Sequence, residues 1–216
     1  MKLHRLGTII SLLLLPQTAA QAQPRYAYIN IADSTGEFFS IANWRGPAIN
    51  DSGTVAFFST LDDGGWGVFT GDGGPVTTIA DERVVFPFEQ QPSINDAGDV
   101  AFQGGFYRAL PVPVGDITSI VVGNATRLTT IVEKGDQYSF LGKPSISDNG
   151  SVAFSAGFKT GLRGLFISKD GAISTIADNL SFGSEPFAGL PPSINAWGDV
   201  AFRGGGHLRD QWRSTG

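Results

Sequence analysis

Cysteine is absent from this chain of 216 residues, and histidine occurs only twice. The missing cysteine excludes disulfides, thiolate nucleophiles, Cys-ligated zinc and iron–sulfur clusters. A histidine-based triad or metal site would have to rely on His207, because His4 lies in an N-terminal leader-like segment, and such sites need partners or further ligands. We therefore expect no catalytic residue of these types and no cofactor.

Long apolar runs and sustained helical periods are also missing after the first 22 residues. The N-terminal segment itself has a basic start, an apolar stretch from Leu6 to Leu15 and an Ala20-Gln21-Ala22 cleavage pattern. These features predict a secretory signal peptide over residues 1–22. A membrane anchor is the alternative, but ten residues are short of the roughly 20 that a span requires. The sequence thus predicts a secreted or extracytoplasmic protein with no membrane span after signal cleavage.

Positive charge is scarce in the predicted mature chain. Removing residues 1–22 takes away two basic residues and no acidic ones, which leaves 13 basic against 20 acidic residues and a net charge of −7. Nucleic-acid binding depends on lysines and arginines that neutralise phosphates, and anionic membranes attract basic clusters. We therefore expect neither nucleic acid nor an anionic membrane surface as a partner.

What the chain does contain is a repeat. An eleven-residue segment with shared proline, isoleucine, glycine, valine, alanine and phenylalanine occurs at residues 47–57, 92–102, 144–154 and 192–202. The phenylalanines that end the copies are 45, 52 and 48 residues apart. A second segment occurs at residues 67–81 and 164–178, with a degenerate copy at 120–133, and its last three residues also match residues 31–33. A period of about 48 residues defines a repeat domain over residues 23–202.

Both segments have the chemistry of β-hairpins. In the first, an Asn-Asp-x-Gly sequence separates two apolar stretches, glycine suits the φ > 0 position, and the Asn and Asp side chains can hold the turn. In the second, Asp-Gly pairs such as Asp72-Gly73 and Asp170-Gly171 are typical of tight hairpins. Two hairpins per repeat predict four antiparallel strands in each repeat.

The alternation along the Val-Ala-Phe strand indicates how the sheets pack. Valine and phenylalanine point to one face of the sheet and alanine to the other, so both faces are apolar and both should be covered. The single methyl group on one face suits close approach of the next sheet. Stacked four-stranded sheets of this kind predict an all-β, β-propeller-like fold, incomplete or with about 3.5 to 4 blades. A solenoid would need a shorter period, and a sandwich would not need four similar repeats.

The copies resemble the tandem NxxGxxAF repeats of bacterial secreted and surface proteins that carry variable C-terminal anchors. The residues that carry the likeness are Asn50, Asn95 and Asn195, then Gly53, Gly98, Gly150 and Gly198, and finally Phe57, Phe102, Phe154 and Phe202. The third copy departs from the pattern with Ser147 in place of asparagine. The resemblance covers nearly all of the mature chain and implies an extracytoplasmic, bacterial repeat protein, but it implies no activity.

The C-terminal segment 203–216 is unpatterned, so the last repeat stops in mid-unit. Two interpretations remain open. The chain is a truncated or frame-shifted remnant of a longer surface protein, or its partial first and last units share a blade. An incomplete unit would leave edge strands unpaired, which predicts self-association through those edges.

A recurrent acid is one candidate site. Acidic residues end each copy of the second segment, at Asp33, Asp81, Glu133 and Asp178. In a propeller they would lie at equivalent places around one rim, where they could bind a metal such as calcium or supply the carboxylate pair of a hydrolase. The alternative is that each acid caps the loop it begins, and repetition favours this structural role.

Aromatic residues are the second candidate site. The loops that follow the recurrent acid carry pairs of aromatics, which either plug the ends of the sheets or form a stacking surface for a sugar or a partner protein. The candidate ligand-binding residues are Phe39, Phe88, Tyr138 and Phe187, together with Trp44 and Trp66, which are the strongest candidates for exposed aromatics. The leading hypothesis is a non-catalytic secreted module that binds a protein or glycan, or has a structural role. The alternative is an exported, carboxylate-dependent hydrolase.

Overall fold

The computed structural model of the chain describes residues 26–41, 46–82, 86–87, 91–105, 118–135, 137–182 and 191–203. The predicted signal peptide and nearly all of the unpatterned C-terminal segment lie outside these ranges. Within them, no helix is both long and apolar enough to cross a membrane. The fold is all-β, as predicted, with one helical turn, α1, at Asn179–Phe182.

Three antiparallel sheets follow one another along the chain. The first contains β1 (Phe38–Ile41), β2 (Ala48–Ile49), β3 (Val55–Leu61), β4 (Trp66–Gly71) and β5 (Thr77–Asp81). The second contains β6 (Phe86–Pro87), β7 (Ser93–Ile94), β8 (Val100–Gly105), β9 (Ser119–Asn124) and β10 (Arg127–Glu133). The third contains β11 (Tyr138–Leu141), β12 (Ser145–Ile146), β13 (Val152–Phe158), β14 (Arg163–Lys169) and β15 (Ala172–Asp178). A short hairpin of β16 (Ser193–Ile194) and β17 (Val200–Ala201) begins a fourth unit.

Each sheet has the same topology, which matches the prediction of four strands per repeat. The two short strands β1 and β2 both pair with β3, so together they form one interrupted edge strand, and β4 and β5 follow in order. The second and third sheets repeat this arrangement. We call the end with the Asn-Asp-x-Gly turns the turn end. The opposite end, where β3 joins β4 and where β5 finishes, is the loop end.

Glycine closes the Asn-Asp-x-Gly hairpins, as predicted. The four turn glycines all have positive φ, between 79° and 97°, and they are Gly53, Gly98, Gly150 and Gly198. A side chain is disfavoured in this backbone conformation.

The two apolar faces are buried between successive sheets, as the alternation predicted. Ala56 of the first sheet lies in one cluster with Val100 and Phe102 of the second. Ala101, on the other face of the second sheet, lies in a cluster with Val152 and Phe154 of the third. Each sheet therefore presents its phenylalanine face to the preceding sheet and its alanine face to the following one, and the methyl group allows the close approach.

The N-terminal segment covers the first sheet in the same way. Ile31 and Ala32 pack on the cluster that contains Phe57 and Phe69. Residues 31–33 match the end of β5, whose Ile79 and Ala80 pack against the phenylalanine face of the second sheet. The segment thus lies where the last strand of a preceding sheet would lie. The described residues do not close into a barrel or a ring.

Candidate functional site

The four Asn-Asp-x-Gly turns are held by their first residue. The Asn50 side-chain oxygen accepts a hydrogen bond from the backbone N–H of Thr54 at 2.9 Å, and Asn95 and Asn195 accept from Asp99 and Asp199 at 2.8 and 2.9 Å. In the third turn, the Ser147 hydroxyl accepts from the N–H of Ser151 at 3.1 Å. Serine can replace asparagine here because either side chain supplies an oxygen to the turn.

Asparagine also links each turn to the next. The Asn50 amide donates to the carbonyl of Asn95 at 3.0 Å, and the Asn95 amide donates to the carbonyl of Ser147 at 3.1 Å. Asn95 is 3% exposed, so its amide has no water to replace this partner. An unpaired polar group at such a site would cost about 1–3 kcal/mol.

Aspartate acts between turns, which the sequence analysis did not predict. The backbone N–H of Asp51 donates to Oδ1 of Asp96 at 2.8 Å, and the N–H of Asp96 donates to Oδ1 of Asp148 at 2.8 Å. Each aspartate carboxylate therefore accepts from the preceding turn. We call this series of contacts between the Asn-Asp pairs the turn ladder.

The turn ladder changes at the fourth turn. Ala196 occupies the place of the aspartate and has no carboxylate to accept from the N–H of Asp148. Instead, the Asn149 amide donates to the carbonyl of Trp197 at 3.0 Å. The Asn195 amide donates to the carboxylate of Asp199, in its own turn, at 3.1 Å. The equivalent amides of Asn50 and Asn95 donate to the next turn instead.

Three of the recurrent acids occupy equivalent places at the loop end, as expected. Asp81, Glu133 and Asp178 end the last strand of their sheets. They pair with Gly67, Ser119 and Gly164, respectively, near the start of the preceding strand. Asp178 accepts from the N–H of Leu180 at 3.1 Å, which caps the turn that follows. This contact confirms the capping role at that residue.

Asp33 is also a capping residue. Its carboxylate accepts from the hydroxyl and the N–H of Thr35 and from the Asn30 amide. These hydrogen bonds, with that from the Thr35 hydroxyl the largest, lower the pKa of Asp33 below its usual value. Among the described residues, the acids form no group of three or more ligands that could hold a metal ion, so the structure does not bring the predicted metal ligands together.

The predicted aromatic site is only partly correct. Trp66 is half-buried and meets Phe58 edge-on at 6.5 Å between ring centroids, so its assignment as an exposed aromatic is wrong. Tyr138 is buried against Phe158 at 4.8 Å, and this burial raises the pKa of its phenol. Phe39 is 73% exposed and remains a candidate. Three further candidates lie outside the described residues: Trp44, Phe88 and Phe187.

From the aromatic pair Tyr138 and Phe140, sequence reasoning selected Tyr138, although Phe140 is the exposed ring, and it did not select the exposed Trp197. Phe140 lies in β11 at the position that Ser40 occupies in β1, one residue along the strand from the equivalent of Phe39. Trp197 occupies the third position of its turn, where Ser52, Ala97 and Asn149 are exposed in the other copies. The sequence held a usable signal, because the other copies have small or polar residues at this turn position, which indicates a position that faces solvent.

Comparison with known proteins places the chain in a family. No curated protein matches it at a significant level. A family described as "Family of unknown function (DUF7453)" matches residues 29–204, which include every described strand. The chain therefore belongs to the DUF7453 family.

Proposed function

We propose that the chain is a non-catalytic repeat module of an exported protein, which binds a protein or glycan through the loop end of its sheets. The observation that carries the proposal is the exposure of Phe39 and Phe140 at the loop end of two sheets. Their neighbours Phe38 and Tyr138 are buried, so the exposed rings do not serve the core. Solvent-exposed aromatic rings in the loop-end strands of two sheets suit stacking on a sugar ring or on an apolar protein surface.

The proposal includes a propeller-like arrangement of the sheets. Its support is that the short strands beside the Asn-Asp-x-Gly turns contact one another from sheet to sheet, with β2 next to β7, β7 next to β12 and β12 next to β16. The turn ladder runs along this edge. Sheets that converge along one edge and stack face to face are the arrangement of propeller blades. The NxxGxxAF resemblance and the predicted signal peptide support an extracytoplasmic location.

The contacts of the acids favour a structural role over a hydrolase. Asp178 and Asp33 both accept hydrogen bonds from groups within two or three residues in the chain. Such local contacts orient the loop that follows the acid, which is the structural role. A capping role predicts that Asp178→Ala lowers the melting temperature and leaves ligand binding unchanged.

Binding at the loop end can be tested with the chain from residue 23 immobilised and probed with an array of bacterial and host glycans. The double variant Phe39→Ala/Phe140→Ala should lose most of the signal of any glycan that binds. Ile173→Ala is the matched control, because Ile173 is an exposed apolar residue of β15 in the half nearer the turn end. Equal binding by the double variant and the control would contradict the proposal.

A further inference from the structure

The turn ladder has a direction. In the first two links, the preceding turn supplies backbone and side-chain N–H groups, and the following turn supplies a carboxylate and a carbonyl. The first turn therefore has a carboxylate, that of Asp51, on the side where a preceding turn would lie. In the last turn, the backbone N–H of Ala196 is at the place equivalent to these donors, and the Asn195 amide, which donates one hydrogen to Asp199, has a second hydrogen to donate. The two ends carry complementary hydrogen-bonding groups.

The apolar residues next to these groups differ in exposure from their internal counterparts. Ile49 is 68% exposed, whereas Ile94 and Ile146 at the same place in the next two sheets are 8% and 5% exposed. Those two isoleucines are buried in the clusters between successive sheets. Ile49 is exposed because no sheet precedes it there in the described residues.

On the alanine face, the residue that is more exposed than its counterparts lies in the last unit instead of the first. Ala56, Ala101 and Ala153 are fully buried, but Ala201 is exposed. We define the head patch as Ile49, Asn50 and Asp51, and the tail patch as Asn195, Ala196 and Ala201. In the interfaces between the first and second sheets and between the second and third, the residues that correspond to the tail patch meet those that correspond to the head patch of the next sheet.

We propose that the head patch of one copy of this chain binds the tail patch of a second copy, which continues the internal interface from one molecule to the next. In this arrangement the N–H of Ala196 donates to the Asp51 carboxylate, and the Asn195 amide donates to the carbonyl of Asn50. The contact joins two different surfaces, so it builds head-to-tail rings or chains of molecules.

The absence of cysteine makes a cross-linking test direct. In the internal links, the Asn50 side chain points toward the second turn and the Asp96 side chain points back toward the first. The variant Asn50→Cys/Asp96→Cys is therefore the positive control and should form a disulfide within one molecule. Asn195→Cys and Asp51→Cys are the corresponding pair across the proposed contact.

The two single-cysteine proteins, each starting at residue 23, are mixed under mild oxidation. We expect about tenfold more cross-linked dimer from the mixture than from either protein alone, since a disulfide needs Cα atoms within about 7 Å. A double variant Asp51→Cys/Asn195→Cys that forms its disulfide at monomer mass would overturn the proposal, because the chain would then close on itself. Failure of the mixture to cross-link while the positive control does so would also overturn it.

Light scattering on the cysteine-free chain measures the association of copies directly, so this second test does not depend on disulfide geometry. The average mass should rise with concentration above that of one chain, and Ile49→Asp should return it to that of one chain. Ile173→Asp, which alters an exposed isoleucine outside both patches, should leave the rise unchanged. A monomer at every concentration would contradict the proposal. The loop-end variants should not change the mass, so failure of the proposed function and failure of this contact can be told apart.

Discussion

The second and fourth Asn-Asp-x-Gly turns have nearly the same backbone and very different surroundings. In the second turn, the N–H of Asn95 donates to the carbonyl of Asp99 at 3.1 Å, and the fourth turn makes the same bond from Asn195 to Asp199 at 3.0 Å. Yet Asn95 is buried between two neighbouring turns, while Asn195 is exposed. The comparison separates two contributions to stability, since the local sequence forms the turn and the neighbouring repeats bury it.

The largest difference in stability loss between the second and fourth units should come from replacing the phenylalanine that follows each turn. Phe102→Ala removes a fully buried ring between the first two sheets and should lower the free energy of unfolding by about 3–5 kcal/mol. Phe202→Ala should cost much less, because Phe202 is only half-buried. Urea denaturation of both variants measures the difference. Equal losses would mean that the fourth unit is packed as tightly as the second.

Substitutions on the alanine face should also destabilise the second unit more than the fourth, but by a smaller amount. Ala101→Val adds two methyl groups to a residue with no exposed surface and should destabilise the fold by about 1–3 kcal/mol. Ala201→Val alters an exposed residue, so its melting temperature should match that of the unaltered chain. The same variant should weaken the association between copies. A stability loss at Ala201 as large as that at Ala101 would show that this face is already covered within one molecule.

The asparagines test the turn ladder itself. Asn95→Ala removes the acceptor for the N–H of Asp99 and the donor to the carbonyl of Ser147, and it should cost about 1–3 kcal/mol. Asn195→Ala should cost less, because water can replace its partners in an exposed turn. Thermal unfolding followed by circular dichroism gives both values. If Asn195→Ala lowered the free energy of unfolding more than Asn95→Ala, the hydrogen bond from Asn95 to the next turn would not be the source of its contribution to stability.

The smallest expected effect is an increase in stability, from restoring the missing aspartate of the fourth turn. Ala196→Asp restores a carboxylate that can accept from the N–H of Asp148, as Asp148 accepts from Asp96, and should stabilise the chain by about 0.5–1.5 kcal/mol. Ala196→Asn, which also has a side-chain oxygen, should recover part of this gain, and Ala196→Ser should recover little. A lower melting temperature for Ala196→Asp would contradict the inference that a carboxylate at this position accepts a hydrogen bond from the preceding turn.

Much of this fold could be predicted because its signals are local. The Asn-Asp-x-Gly and Asp-Gly sequences predicted the hairpins, and the Val-Ala-Phe alternation predicted burial on both faces. The roles of the aspartates could not be predicted in the same way, because Asp96 and Asp148 accept hydrogen bonds from residues 45 and 52 positions earlier in the chain. Nothing in the sequence near an aspartate indicates whether its carboxylate holds its own turn or reaches another.

The candidate site was harder to predict than the fold. Trp66 and Phe39 both lie at the loop end, and only packing against Phe58 distinguishes the half-buried residue from the exposed one. The capping by Asp178 was predictable, because a repeated acid after a strand suits a repeated structural role. The exposure of Phe140 depends on a register shift between Tyr138 and Phe140, which turns the strand by one residue and leaves no local signature.

A paired substitution in the second segment shows how one repeat diverged without losing its fold. At Gly67 and Gly164, an added Cβ would meet the ring of the phenylalanine two residues later, Phe69 or Phe166. The middle sheet has Ser119 and Val121 at these places, so a smaller second residue leaves room for a larger first one. The volume of the pair is kept, as buried packing requires.

The directional ladder also affects how the molecule opens. Each repeat gains stability from the repeats it packs against. Among the described units, local opening should therefore be least costly in the fourth, where Asn195 and Ala201 are exposed, and most costly in the middle. Amide hydrogens in β16 and β17 should therefore exchange with deuterium well before those of β7 and β8, although the two hairpins have nearly the same sequence. A molecule built this way would unravel from its C-terminal unit inward, and a second copy bound there would slow that loss by occupying the unit at which it begins.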